Sequence, residues 1–218
     1  MTDVLKKKIV MMIIGIVFIG LSIALFRYAN MGTDPFTTMN LGISHYLGWS
    51  FGQYQLLVNM VLFFVVLVYG RHTIGLGTFV NMVMVGFIAD FFMPIVEQTF
   101  PVAPSLAIRL VIMVSAVIVA CIGISLYMTA DLGIAPYDAM AIILIKVSRG
   151  KIAFPIARIT TDIVCVIIGF SYHAVVGIST VFMVLFTGPL VQLCKKTIWE
   201  PLLKEPEQLL VNDKMEAR

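Results

Sequence analysis

Charge is what this chain has least of. Its 218 residues include 15 Lys and Arg and 12 Asp and Glu, a charged fraction of 12%, against about 25% in ordinary soluble domains. With 60% hydrophobic residues, that excludes a water-soluble globular domain and predicts an integral membrane protein in a lipid bilayer. Cysteine is also scarce: Cys121, Cys165 and Cys194 are odd in number, lie in apolar stretches and show no Cys-x-x-Cys spacing, which argues against a disulfide framework or a zinc site. The three histidines, His45, His72 and His173, fall at predicted segment boundaries. No Ser/His pair, His-Glu-x-x-His or nucleotide loop is visible, so neither an enzyme nor a cofactor is expected. The 14 methionines are scattered without a Met-x-x-Met cluster and read as packing, not copper ligands. The formal charge of +3 reflects loop bias, and nucleic-acid binding is not expected.

What the chain has in abundance is long apolar runs. Ile9 to Phe26 is 18 residues without charge, and Leu110–Ala130 and Ala174–Cys194 are 21 each, against about 20 needed to cross about 30 Å of hydrocarbon. Phe51–Gly70 is also long enough, as are Thr73–Val96, which carries Asp90, and Ile152–Tyr172, which carries Arg158 and Asp162. Six transmembrane helices are expected. Lys6-Lys7-Lys8 before the first run resembles a secretory signal, but 18 residues exceed the usual core of about 7–15, so the span is retained.

The runs are arranged as a repeat. Met31-Gly32-Thr33-Asp34-Pro35-Phe36-Thr37-Thr38-Met39 returns as Leu132-Gly133-Ile134-Ala135-Pro136-Tyr137-Asp138-Ala139-Met140, and Gly75-Leu76-Gly77-Thr78 returns as Gly177-Ile178-Ser179-Thr180. Each Gly-x-x-Pro break opens a segment too short to cross a bilayer: Phe36–Leu47 has 12 residues and Pro136–Ser148 has 13, about 18–20 Å of helix. The expectation is an all-α membrane fold of two three-helix repeats, 1–104 and 105–196, each with a re-entrant or broken half-helix, and a cytoplasmic interfacial tail, 197–218. With a cytoplasmic N-terminus, Lys6, Lys7, Lys8, Arg71, Lys146, Arg149, Lys151, Lys195 and Lys196 fall inside, against Arg27 and Arg109 near outer ends. That bias favours inverted repeats with both termini cytoplasmic.

These paired motifs, Gly-x-x-Pro-aromatic followed by Gly-x-Gly-Thr or its variant and a late glycine (Gly86, Gly188), resemble the YczE/YyaS/YitT group of bacterial integral membrane proteins, nearest its YczE branch. The resemblance covers about residues 10 to 195. It implies a polytopic inner-membrane protein and transfers neither substrate nor catalytic residues. Ser179, standing where the first half has Gly77, is a departure expected to relax the packing there.

Chemistry is expected where polarity enters the hydrocarbon. Arg158 and Asp162, four apart, share a helix face and read either as a structural ion pair or as a site for an anionic group or a proton relay. The two breaks offer half-helix N-termini: Gly32, Thr33, Asp34 and Thr37 surround the first, Gly133 and Asp138 the second, with helix capping the local alternative for each carboxylate. Asp131 and Asp138 are seven apart but separated by a break, which discounts an intramembrane aspartyl enzyme. Asn59, Asn81, Thr78 and Thr180 read as interhelical bridges or as a polar lining. Duplicated halves with matched breaks point to a small transporter or facilitator, with a site between the repeats. Arg158 favours an anionic solute, whereas Asp34, Asp90, Asp131, Asp138 and Asp162 favour proton or cation coupling. The alternative is a non-transporting scaffold subunit of a larger complex. The small size leaves a homodimer open.

Overall fold

The computed structural model describes residues 2–100 and 104–201. Among them there are eight α-helices: α1 (Thr2–Ala29), α2 (Pro35–Leu47), α3 (Phe51–Tyr69), α4 (Leu76–Thr99), α5 (Leu106–Ala130), α6 (Pro136–Val147), α7 (Phe154–Ser171) and α8 (Ile178–Cys194). No strand is present among the described residues. Six helices are long and apolar enough to cross a bilayer: α1, α3, α4, α5, α7 and α8, the last extended through Trp199 by a π turn. The described residues are those of an all-helical membrane protein, and among them α2 and α6 are the two short helices.

Local chemistry sets the ends of these elements. Asp34 caps α2, accepting from Thr37 N at 3.0 Å, with Pro35 in the first turn where its missing donor costs nothing. Ser50 and Gln53 form a reciprocal capping box at the start of α3, and Ser105 caps α5. α6 begins at Ala135–Pro136 with no side-chain cap; instead Ile134 N donates to Thr73 O at 2.9 Å.

The packing fixes how the helices run. Gly15 lies against Gly123 and Tyr127, Gly123 against Ile19, and Arg109 reaches Ala29, so α1 and α5 cross antiparallel at close approach. Gly20 meets Ile88 and Tyr28 meets Phe100, so α4 runs parallel to α1. Gly52 meets Gly86 while Phe63 meets Phe79, so α3 is antiparallel to α4. Phe36, Gly42 and Tyr46 meet Cys165, Gly169 and Tyr172 in that order, so α2 runs with α7. Likewise Val66 packs on Ala139 and Ile143 and Tyr69 O accepts from Lys146, so α6 runs with α3.

Two backbone joints tie the halves together. Gly77 N donates to Leu132 O at 2.7 Å, and Ser179 N donates to Met31 O at 3.1 Å. Each break thus offers a carbonyl to the helix start of the other half. Ser179 Oγ adds a second bond to Met31 O at 2.9 Å, so serine at this position contributes a contact to the joint where relaxed packing was expected.

Of the expected surface tail, residues 202–218 lie outside those described. Trp199, placed on that tail by its sequence, instead donates Nε1 to Ser125 Oγ on α5 at 2.8 Å.

Candidate functional site

The starts of α2 and α6 meet inside the bundle. Phe36 and Tyr137, matched residues of the two motifs, stack with ring centroids 4.4 Å apart and planes 15° apart, over Cys165 of α7 and against Val58 and Leu62 of α3. Such a stack stabilises by about 0.5–1.5 kcal/mol beyond the area it buries.

The charged residues gather beside this stack. Arg158 Nη1 lies 2.6 Å from Asp138 Oδ1 and Arg158 Nε lies 3.4 Å from Asp162 Oδ1. Tyr137 donates its hydroxyl to the same Asp162 Oδ1 at 2.5 Å, and the guanidinium lies 4.9 Å from the Tyr137 ring centroid, a cation–π geometry. The side chain of Asp162 is 5% exposed, against 34% for Arg158 and 40% for Asp138. The expected Arg158–Asp162 pair is therefore the longer of two contacts, and a carboxylate on α6 takes the shorter. An arginine facing two carboxylates has no charge left over for an anionic solute.

Asp34 stands at the start of α2, close enough for both Arg158 and Asp162 to act on it electrostatically. Thr33 and Thr38 close the same turn, hydroxyl to hydroxyl at 2.8 Å, and Thr37 is buried beside them. Gly32 and Gly133 take φ of 97° and 115°, a region that glycine occupies without strain. A Cβ on Gly133 would sit 2.6 Å from Thr78 Oγ1 and Gly75 N, and one on Gly32 would collide with Thr180 Oγ1 and Gly177. These glycines hold the breaks against the other half, so added bulk there perturbs the fold as well as any site.

Asn59 is buried on α3 between Val58 and Leu62, which pack on the aromatic stack. Counting from Phe51 and Phe154, Gln55 and Asn59 are the fifth and ninth residues of α3, and Arg158 and Asp162 the fifth and ninth of α7. An amide pair in one half thus occupies the helix positions of a charged pair in the other. Thr78 and Thr180 act locally, accepting from Gly75 N at 3.1 Å and Gly177 N at 3.4 Å at the starts of α4 and α8. Asn81 is buried one turn along from Thr78.

Several residues escaped the sequence reading. Arg109 donates Nε to Ala29 O at 2.7 Å and Nη2 to Asn30 O, capping the carbonyl end of α1 just before the first break. Arg27 pairs with Asp90 at 2.8 Å, and Asp90 Oδ2 also accepts from Gly52 N at 2.7 Å. That pair borders a crevice of about 500 Å³ also lined by Ser44, His45, Trp49 and Phe87. Two lone, opposite charges, one at the end of the first apolar run and one within the Thr73–Val96 run, were the available signal for it. The Asp162 partner Tyr137 was marked only as an aromatic repeated from Phe36.

Fold and cluster together define a polytopic helical membrane protein with a charged centre where two short helices meet. The chain belongs to the family of unknown function DUF6198, whose model matches residues 6–196. An uncharacterized protein of Haemophilus influenzae is 23% identical over 188 residues, 85% of this chain and 82% of that protein. The uncharacterized protein YyaS of Bacillus subtilis is 22% identical over 180 residues, 83% of this chain and 88% of YyaS. Both agree with the group that the repeated motifs resemble. No solved structure matches the chain.

Proposed function

We propose that the protein is a small transporter or facilitator for a small solute, built from two inverted repeats in the bacterial inner membrane, with both termini cytoplasmic. The observation that carries this reading is the Asp138–Arg158–Asp162–Tyr137 cluster, set where the N-termini of α2 and α6 meet. Ionisable groups in hydrocarbon are costly and face cavities or partners, and matched broken helices near the midplane are how several transporter folds build a site.

Inversion is supported by the antiparallel crossing of α1 and α5 and by the reciprocal joints Leu132–Gly77 and Met31–Ser179. Re-entry is supported by helix direction. Tyr137 meets Asp162 while Asp138 meets Arg158, so α6 and α7 are antiparallel. Through α4, α3, α6 and α7, α2 therefore runs in the same sense as α1, yet Arg27 near the end of α1 and Gly52 at the start of α3 share Asp90. The end of α2, three residues before α3, therefore lies near the level where α1 ends. Residues 30–34 must double back by about the 18–20 Å length of α2, which an extended chain reaches at about 3.3 Å per residue. Orientation is supported by the basic loops, because Arg27 and Arg109 are engaged by Asp90 and by the end of α1.

The test uses the purified full chain in liposomes, with a panel of labelled small cations, anions and neutral solutes. At least one solute should cross, and Arg158→Gln and Asp162→Asn should abolish its flux while still inserting. Normal flux in both variants defeats the site, and no flux for any solute together with stable co-purification of another protein favours a scaffold instead. For topology, Gly48→Cys and Gly150→Cys on a cysteine-free background should react with a membrane-impermeant thiol reagent from opposite sides. Labelling from one side makes the repeats parallel.

A further inference from the structure

We propose that Asp162 is a site of reversible protonation, and that the proton it takes neutralises the Asp138–Arg158–Asp162 triad. The inference rests on the transport reading only for its consequence, coupling of a proton to movement of the solute. The protonation itself stands on charge and geometry.

The triad holds two carboxylates and one guanidinium, a net charge of −1 when all are ionised. A single proton brings it to zero, and of the two carboxylates Asp162 is the one placed to take it. Arg158 approaches Asp138 at 2.6 Å but Asp162 only at 3.4 Å, and the Asp162 side chain is 5% exposed against 40% for Asp138. The more buried carboxylate is the less well compensated, the reverse of what a purely structural ion pair would show, since a buried charge is tolerated only when closely paired.

The groups facing Asp162 reinforce this. From α2 comes Asp34, a third carboxyl group. From α6 come Asp138 and the Tyr137 hydroxyl, a neutral donor. On its own helix are Arg158 and the Cys165 thiol. From α3 come Val58 and Leu62, with Asn59 between them, none of which titrates. Arg158 is the one cation among them.

Both donors to Asp162, Tyr137 Oη and Arg158 Nε, act on Oδ1. A proton on Oδ2 leaves them in place. Among the described residues no three His, Cys, Asp or Glu are grouped to hold a metal ion, and a proton is the one cation that needs no coordination shell. In the protonated state the charge of Arg158 is balanced by Asp138 alone, across a contact joining α7 to α6. When the proton leaves, Asp162 competes for the guanidinium again. The step makes one O–H bond at Asp162 and breaks one in the donor, water or hydronium, with no redox change.

The experiment is pH-titrated infrared difference spectroscopy of the full chain in nanodiscs, reading the carbonyl stretch of a protonated carboxyl group. Lowering pH should produce such bands from the carboxyl groups of the wild type, and Asp162→Asn should remove one component, the Asp162 band. In Asp138→Asn the remaining pair is already neutral, so the band should persist but appear at a pH lower by about one unit or more, the usual effect of removing a nearby like charge. In Tyr137→Phe the band should remain and change frequency, because the hydroxyl bonded to Asp162 is gone. That variant keeps the proposal falsifiable if Asp162→Asn does not fold. Bands left unchanged by Asp162→Asn, no component shifted in frequency in Tyr137→Phe, or no band in folded wild type overturns the proposal. A band without flux for any solute leaves the protonation standing and removes the transport reading, whereas flux without a band does the opposite.

Discussion

Four glycines with positive φ form a controlled series that separates backbone strain from crowding at the joints. Gly48 and Gly150, at φ 68° and 75°, have nothing within 4 Å of an added Cβ. Alanine there bears only the cost of a left-handed residue, about 1–2 kcal/mol. Gly32 and Gly133, at φ 97° and 115°, bear comparable or greater strain, about 1–3 kcal/mol. Their Cβ atoms also meet backbone of the other half, at 2.7 Å from Gly177 N and 2.6 Å from Gly75 N. Overpacking of that kind adds about 1–3 kcal/mol, giving roughly 2–6 kcal/mol in all. Gly188 is a helical control with φ in the ordinary range and open space around its Cβ, where alanine should stabilise by up to about 1 kcal/mol. The assay is reversible denaturation of the detergent-solubilised full chain, or its thermal midpoint by size-exclusion if unfolding is irreversible. The expected order of stability is Gly188→Ala, wild type, then Gly48→Ala and Gly150→Ala, with Gly32→Ala and Gly133→Ala last. Equal loss at all four positive-φ positions would refute the reciprocal joints, because strain alone would then explain every variant.

Three further substitutions test contacts that the sequence did not reveal, by the same stability assay. Asp90→Ala should destabilise more than Arg27→Ala, by about 1–2 kcal/mol, because it strands both the Arg27 guanidinium and the Gly52 N–H, whereas losing Arg27 leaves Asp90 its backbone donor; equal losses would mean that the Gly52 bond contributes nothing. Ser179→Ala should cost about 1 kcal/mol, the value of one neutral hydrogen bond, since Ser179 N still reaches Met31 O; a gain in stability would restore the view that serine loosens this joint.

How much of this was legible in the sequence depended on how locally each feature is determined. The six long helices follow from apolar run length alone, and their ends moved only where a different rule takes over. α1 starts at Thr2, ahead of the expected Ile9, because Lys6, Lys7 and Lys8 limit burial in hydrocarbon but not helix formation. α4 starts at Leu76, because Gly75 and Thr78 form its N-terminal turn. The short helices follow from their Gly-x-x-Pro openings, and the Asp34 cap follows from a three-residue spacing. Arg158 pairs with Asp138 across 20 residues and a turn, and Arg27 with Asp90 across 63; no helical period encodes either. The i,i+4 rule supplied the Arg158–Asp162 contact and, for that reason, concealed the shorter one.

The joints between the halves also bear on what the charges are for. Gly77 N to Leu132 O and Ser179 N to Met31 O are backbone contacts, made whether or not any side chain nearby is charged. The paired glycines Gly15 and Gly123 bring α1 and α5 together in the same way. The fold therefore has neutral means of holding its halves in register. A buried ion network is a weak source of stability, because the desolvation of its charges offsets most of their attraction. In α3 the equivalent positions carry Gln55 and Asn59, which are buried without any charge. A scaffold would be served as well by amides in both halves. The charged pair in α7, joined to Asp138 and Tyr137 where the short helices α2 and α6 meet, is intelligible as a centre that handles charge, and that is why the proposed proton on Asp162 and the solute flux are sought together.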